Sequence, residues 1–158
     1  SKKVTVSSEQ LWQEMLALYH SGENVFQAII QRYQLTDVGI EDFIAMYRHH
    51  QPAIQLTAST AQFLTSIKEQ VFKVGLITDG RSLQQRHKLE SLGLSHFFDT
   101  VIISEEFGSE KPNKANFKYF EDAYGSHLNY IYVGDNTTKD FIAPHALGWQ
   151  TFCLSSGL

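Results

Sequence analysis

From Ala58 onward the sequence alternates between two periodicities, and that alternation restricts the fold more than any other feature. Short runs rich in β-branched, aromatic and other apolar residues stand at Phe72–Thr78 (FKVGLIT), Thr100–Ser104 (TVIIS), Tyr130–Val133 (YIYV) and Gln150–Leu154 (QTFCL). Between them lie stretches of helical period. These are Ala58 to Gln70, Ser82 to Leu92 with Gly93 as its stop, Asn113 to Tyr124 with Phe117, Phe120 and Tyr124 on one face, and a last short helix. Strands joined through helices pair in parallel, and short apolar strands without a polar face are covered on both sides. The expected fold class is α/β: a Rossmann-like parallel sheet with helices on both faces. A proline deep in a helix would clash with the preceding turn, so the last helix is expected to begin near Asp140 and hold Pro144 in its first turn. A long loop is expected between Ser104 and the Lys111-Pro112 pair.

Ahead of Ala58 the pattern is helical throughout. Ser7 or Ser8 caps a helix with Leu11, Met15, Leu18 and Tyr19 on one side, ended by Gly22. Val25, Phe26, Ile29, Ile30 and Tyr33 mark a second helix, and Ile40, Phe43, Ile44 and Tyr47 a third that Pro52 stops. Three amphipathic helices with short links make a small bundle, and Trp12 and the other aromatics are expected to pack inside it. A short strand over Lys2 to Val6 is the alternative for the first residues. The expected domains are therefore residues 1–57, a helical bundle, and residues 58–158, an α/β core.

Composition excludes several functions. A formal net charge of −4 with no block of like charge argues against a nucleic-acid partner. There is no apolar run of membrane-spanning length and no signal peptide at Ser1, which points to a cytoplasmic protein without a membrane partner. The single cysteine, Cys153, has no internal partner and is expected to be a buried structural thiol in a reducing compartment.

The chemistry concentrates at strand ends. After Tyr130–Val133 come Gly134, Asp135 and, five residues on, Asp140, with Asn136, Thr137 and Thr138 shaping a tight loop. Carboxylates converging at the end of a parallel strand are hard oxygen ligands of the kind Mg²⁺ accepts. The plain alternative is a turn at Gly134-Asp135 and an N-cap at Asp140. Thr78 closes the first of the apolar strands with Asp79-Gly80 turning the chain, and Lys111 stands in the loop after the second. Singly, each is an ordinary strand-end or solvated residue. Together they form a phosphate site: a hydroxyl and turn amides hold phosphoryl oxygens, an ammonium neutralises them, and Asp135 and Asp140 hold Mg²⁺ against them. The histidines, His49-His50 included, show no metal spacing, and Ser104 and Ser109 have no evident base.

In that order and spacing, LITDG around Thr78, SEEFGSEKPN with Lys111 and YVGDNTTKD with Asp135 and Asp140 resemble the second, third and fourth motifs of the haloacid dehalogenase-like superfamily. LESLGLSHFFDTVIISEEFG and ALGWQT are also similar to it. The resemblance covers about residues 58 to 154; residues 1–57 match only as the helical cap that these enzymes insert between their first and second core strands. It implies a Mg²⁺-dependent hydrolase, a phosphatase acting on a small phosphorylated substrate through an aspartyl-phosphate. By the same resemblance Thr78, Asp79 and Gly80 bind phosphate, Lys111 steadies nucleophile and phosphate, Asp135 ligates Mg²⁺, and Asp140 supports the metal or Lys111.

The family's first motif, a DxD at the end of the first core strand that supplies the nucleophile, is not found in this sequence. By analogy with the family, roughly 30 to 40 residues are expected upstream of Ser1, enough for the first core strand, a loop and one cap helix. The resemblance also places that strand between the ones ending at Thr78 and Val133, so that without it two strand edges lack a partner and segment exchange between chains becomes possible. The expectation is that residues 1–158 alone do not hydrolyse a phosphomonoester. The presence of Asp135 favours a phosphatase over a 2-haloacid dehalogenase. A non-catalytic protein that binds a phosphorylated ligand or a partner is the alternative. Substrate identity and oligomeric state are left open.

Overall fold

The computed structural model describes residues 6–154. The possible strand over Lys2 to Val6 lies outside the described residues except for Val6, which sits in a bend. The chain divides into two compact units, the first ending at His50 and the second beginning at Gln51. The extended stretch from Gln51 to Thr57 therefore goes with the second unit, although the sequence pattern had placed it with the helices.

The first unit contains α1 (Ser8–His20), α2 (Val25–Arg32) and α3 (Ile40–His49). Each start is explained locally. Ser7 and Gln10 form a reciprocal capping box ahead of α1, and the Asn24 side chain accepts the Gln27 amide ahead of α2. Leu18 and Ile29 are the buried apolar side chains here, and Phe26 stacks on Phe43 with ring centres 5.4 Å apart. Glu14 ties α1 to the end of α2, accepting the Tyr33 hydroxyl at 2.6 Å and pairing with Arg32. Trp12 does not join this packing as the sequence suggested: it is 54% exposed, on the turn of α1 away from Leu18.

The second unit opens with α4 (Ala58–Gln70), capped by Thr57, and continues through β1 (Gly75–Thr78), α5 (Ser82–Ser91), β2 (Thr100–Ile103), α6 (Ser104–Phe107), α7 (Lys114–Tyr124), β3 (Ile131–Gly134), α8 (Ile142–Ala146) and β4 (Gln150–Cys153). All strand pairing is parallel, with Gly75 to Thr78 level with Thr100 to Ile103 and Ile131 to Gly134 level with Gln150 to Cys153. The strands form two two-stranded sheets, β1–β2 and β3–β4, and the break falls between β1 and β3, where the family resemblance places the first core strand. One helix serves both. Phe117 and Phe120 of α7 are buried in a cluster with Ile77, Ile102 and Ala143, against which Tyr130, Tyr132 and Trp149 pack. Burying each such phenylalanine contributes about 1.5–3 kcal/mol. Gly75 makes the approach of α7 possible, because a Cβ there would lie 2.1 Å from the Phe120 ring. Tyr130 stacks on Trp149 and donates its hydroxyl to the carbonyls of Phe120 and Gly125, both at 3.0 Å.

Four other expectations need correction. The stretch after Ser104 is not all loop: it forms α6, stopped by Gly108 in the left-handed conformation (φ 81°). The last helix starts at Ile142, so Asp140 precedes its N-cap and Pro144 is the third residue of the helix, still within its first turn. Cys153 is exposed, not buried. The alternate face of β3–β4, with Ile131, Val133 and Phe152, is also exposed, so that pair is covered on the α7 side alone among the described residues. No helix among them is long and apolar enough to cross a membrane.

Candidate active site

β1 and β2 end level, and the loops that follow them are joined to the loop after β3 by side-chain contacts from Lys139 and Asp140. The turn after β1 is held from two directions. Gln85, in the second turn of α5, donates its amide to the Thr78 hydroxyl and to the Asp79 carbonyl (3.1 Å), while Lys88 holds the other end of that amide at 2.8 Å. Gly80, at φ 132°, donates its backbone amide to the Ser104 hydroxyl at 2.9 Å. On the surface, Glu105 accepts the Ser82 amide and pairs with Arg81, and Glu106 takes a bidentate pair from Arg86 at 2.7 Å. These contacts fix the start of α5 against α6.

The loop after β2 is anchored by a buried polar side chain. Asn116, on α7 and fully buried, donates to the Ser109 carbonyl at 2.9 Å and accepts the Ser109 hydroxyl. Two residues on, Lys111 points its ammonium at Asp140 Oδ1 (2.8 Å) and the Tyr132 hydroxyl (3.3 Å). Its side chain is 11% exposed and that of Asp140 3%. Burial pulls the Lys111 pKa down, but the Asp140 carboxylate and Tyr132 outweigh it, and the ammonium is held above its ordinary value. For Asp140, burial pushes up, and Lys111 with the amides of Asn136 and Asp135 more than reverses it, holding the carboxyl below the usual carboxylate range. Burial raises the Tyr132 phenol, with Lys111 opposing. The pair is therefore ionised, and Tyr132 is neutral.

Asp140 also shapes its own loop. Its Oδ2 accepts the amides of Asp135 (3.2 Å) and Asn136 (3.1 Å), closing the turn back on the strand end. Gly134 leaves room for it, since a Cβ at that position would be 2.6 Å from Oδ2. Asp140 therefore serves the loop and Lys111 and does not cap a helix. Asp135 is exposed at the end of β3, and its carboxylate has no partner among the described residues.

The two remaining charges complete the arrangement. Asp79 Oδ1 accepts the Lys111 backbone amide at 3.0 Å, and Oδ2 accepts the Lys139 ammonium at 2.7 Å. The structure thus brings Thr78, Asp79, Gly80, Lys111 and Asp140 into one connected cluster and leaves Asp135 beside it, free. The sequence reading passed over Lys139, Gln85, Tyr132 and Asn116. Asn116 carried a usable signal, since it stands one turn before Phe120 on the apolar face of its helix, where a polar side chain must find a partner. Beside the Gly80 turn lies a cavity of about 520 Å³ bordered by Arg81, Ser104, Glu105 and Ser109.

As a Mg²⁺ site these residues fit in part. Asp135 offers an unengaged carboxylate, whereas Asp140 is taken up by Lys111 and two amides. The described residues contain no group of three or more acidic, histidine or cysteine side chains able to hold a metal by themselves.

The haloacid dehalogenase-like hydrolase family matches residues 6–154, nearly the whole chain, and the protein belongs to that family. Over 99 residues it is 40% identical to glyceraldehyde 3-phosphate phosphatase of Methanocaldococcus jannaschii, covering 62% of this chain and 43% of that one. Over 86 residues it is 37% identical to the pyrimidine 5'-nucleotidase YjjG of Escherichia coli, covering 53% and 38%. The chain spans less than half the length of these curated relatives. In structure it is similar to a haloacid dehalogenase-like phosphatase from Thermococcus onnurineus, with a TM-score of 0.60 at 22% identity over 98% of this chain and 73% of that one. The magnesium-bound hydrolase YfnB of Bacillus subtilis gives a TM-score of 0.61 at 21% identity over 97% and 74%. At that identity the likeness establishes the fold, and the fold is that of the family.

Proposed function

We propose that the full-length protein is a Mg²⁺-assisted phosphatase acting on a small phosphorylated metabolite, with its phosphate site in the joined loops that follow β1, β2 and β3. The observation that carries this reading is the buried Lys111–Asp140 pair, which fixes a charged ammonium on the loop that Asp79 ties to the Thr78–Gly80 turn. The matched relatives whose names give a substrate act on triose phosphates, nucleotides, phosphoserine and a sugar bisphosphate, and all of these are small phosphorylated metabolites.

In this reading the Thr78 hydroxyl and the turn amides bind two phosphoryl oxygens. The Lys111 ammonium balances charge on the phosphoryl group and on the attacking carboxylate, and it is preorganised by Asp140 so that no reorientation is needed during reaction. Asp79 does not attack, since both of its oxygens are engaged; the attacking carboxylate is supplied from outside residues 6–154. Asp135 would hold the Mg²⁺ ion, which screens that carboxylate from the phosphate.

The test is turnover of p-nitrophenyl phosphate by the full-length protein with and without Mg²⁺. Metal-dependent hydrolysis that falls by orders of magnitude in Lys111→Ala and in Asp135→Asn is the expected result. An inactive wild-type protein, or a fully active Lys111→Ala, refutes the reading.

A further inference from the structure

Asp79 is an awkward neighbour for a phosphate. It follows Thr78 directly, its side chain is only 12% exposed, and it carries a negative charge into a site meant for an anion. Asp79, Asp135 and Asp140 stand there against Lys111 and Lys139. Lys111 spends its ammonium on Asp140 and meets Asp79 only through its backbone amide. Among the described residues the charge on Asp79 is balanced by Lys139, at 2.7 Å, reaching from the loop after β3 to the turn after β1. Lys139 is itself only 36% exposed. A charge so placed is screened far less by salt and water than one at the open surface.

From this geometry, and resting on the phosphatase reading above, we propose that Lys139 is a positioning residue for phosphate: it neutralises Asp79 so that the Thr78–Gly80 turn can accept a phosphoryl group. Its role is electrostatic. Removing the ammonium leaves a half-buried carboxylate one residue from the phosphoryl-binding hydroxyl, where it repels every phosphate ligand, substrate and product alike. Ground-state and transition-state binding then weaken together, so KM rises while kcat changes little.

The experiment uses the full-length protein, p-nitrophenyl phosphate as substrate and inorganic phosphate as competitive inhibitor. Lys139→Met and Lys139→Gln should each raise KM and the phosphate inhibition constant by about tenfold, with kcat within about threefold of wild type. Lys139→Gln can still hydrogen-bond Asp79, so it separates loss of charge from loss of the tie between loops, and it carries the test should Lys139→Met fold poorly. Lys139→Arg should retain wild-type constants. The deciding variant is Asp79→Asn/Lys139→Met, which lacks both the charge and its counterion and should bind phosphate and substrate several-fold more tightly than Lys139→Met. Unchanged constants in Lys139→Gln overturn the proposal, and so does a double variant as weak as Lys139→Met, which would make the contact a mechanical tie. A wild-type protein that neither hydrolyses the ester nor binds phosphate overturns the phosphatase reading and this role with it, a result distinct from either of the others.

Discussion

Ion pairs of the same chemical kind occur in two settings in the second unit, and their surroundings differ. Lys118 and Asp122 form an i,i+4 pair on α7 at 3.1 Å, with side chains 58% and 65% exposed. Lys111 and Asp140 sit at 2.8 Å with 11% and 3%. The exposed pair is solvated whether or not it forms, so it contributes little. The buried pair has lost its water, and each partner depends on the other and on the amides and hydroxyl around it. Distance alone does not separate them; solvent access does.

The sharpest way to break this comparison is Asp140→Asn. It leaves the Lys111 ammonium buried without a counter-charge, and the expected cost is about 3–5 kcal/mol in urea unfolding, together with loss of any phosphatase activity. An effect below about 1 kcal/mol would place the pair with the exposed one. Lys111→Met/Asp140→Asn should be less destabilised than Asp140→Asn alone, because no unpaired charge is left, though the amides of Asp135 and Asn136 still lose their anionic acceptor.

Next in size is Gly75→Ala. It tests packing where the other variants test charge, and it should cost about 1–3 kcal/mol as α7 and Phe120 are forced off the strand. Wild-type stability would show that Phe120 can swing away.

Titration of stability tests the buried pair by a second route. Asp140 has its folded pKa lowered, so its contribution is complete above the unfolded value of about 3.9 and drains as pH falls through the folded value. Lys111 has its pKa raised, so its contribution is complete below about 10.4 and is lost as pH rises through the folded value. Stability measured from pH 7 down to pH 2 should fall less steeply in Asp140→Asn than in wild type. Equal slopes would remove Asp140 from the acid limb. Asp122→Asn marks the small end of the scale: the urea unfolding midpoint should stay at the wild-type value, and any difference should shrink further in salt.

Much of this was readable in the sequence, for reasons that particular residues make plain. The strands ending at Thr78, Ile103, Gly134 and Cys153 follow from local apolar runs, and the helix starts at Ser7, Asn24 and Thr57 follow from capping chemistry. Thr78, Lys111, Asp135 and Asp140 could be picked out because strand ends in a parallel sheet converge. What could not be read was pairing at long range. That Lys139 turns to Asp79 depends on how loops from distant parts of the chain meet, and no local pattern encodes it; the contact of Asp140 with Lys111 was one of the two roles that the family resemblance implied. The exposure of Cys153 and Val133 was missed for a related reason, since an apolar run reveals that a strand can be buried and not what is there to cover it.

Lys139 and Asp140 are adjacent in the chain yet reach different loops, and this makes loop length as constraining as residue identity. A single residue inserted between Asp135 and Lys139 would move both side chains out of register with Asp79 and Lys111 at once, whereas an insertion near Gly125 to Asn129, between α7 and β3, would shift neither contact directly. Related chains that keep these four side chains should therefore vary freely in the length of the second connection and hardly at all in the first.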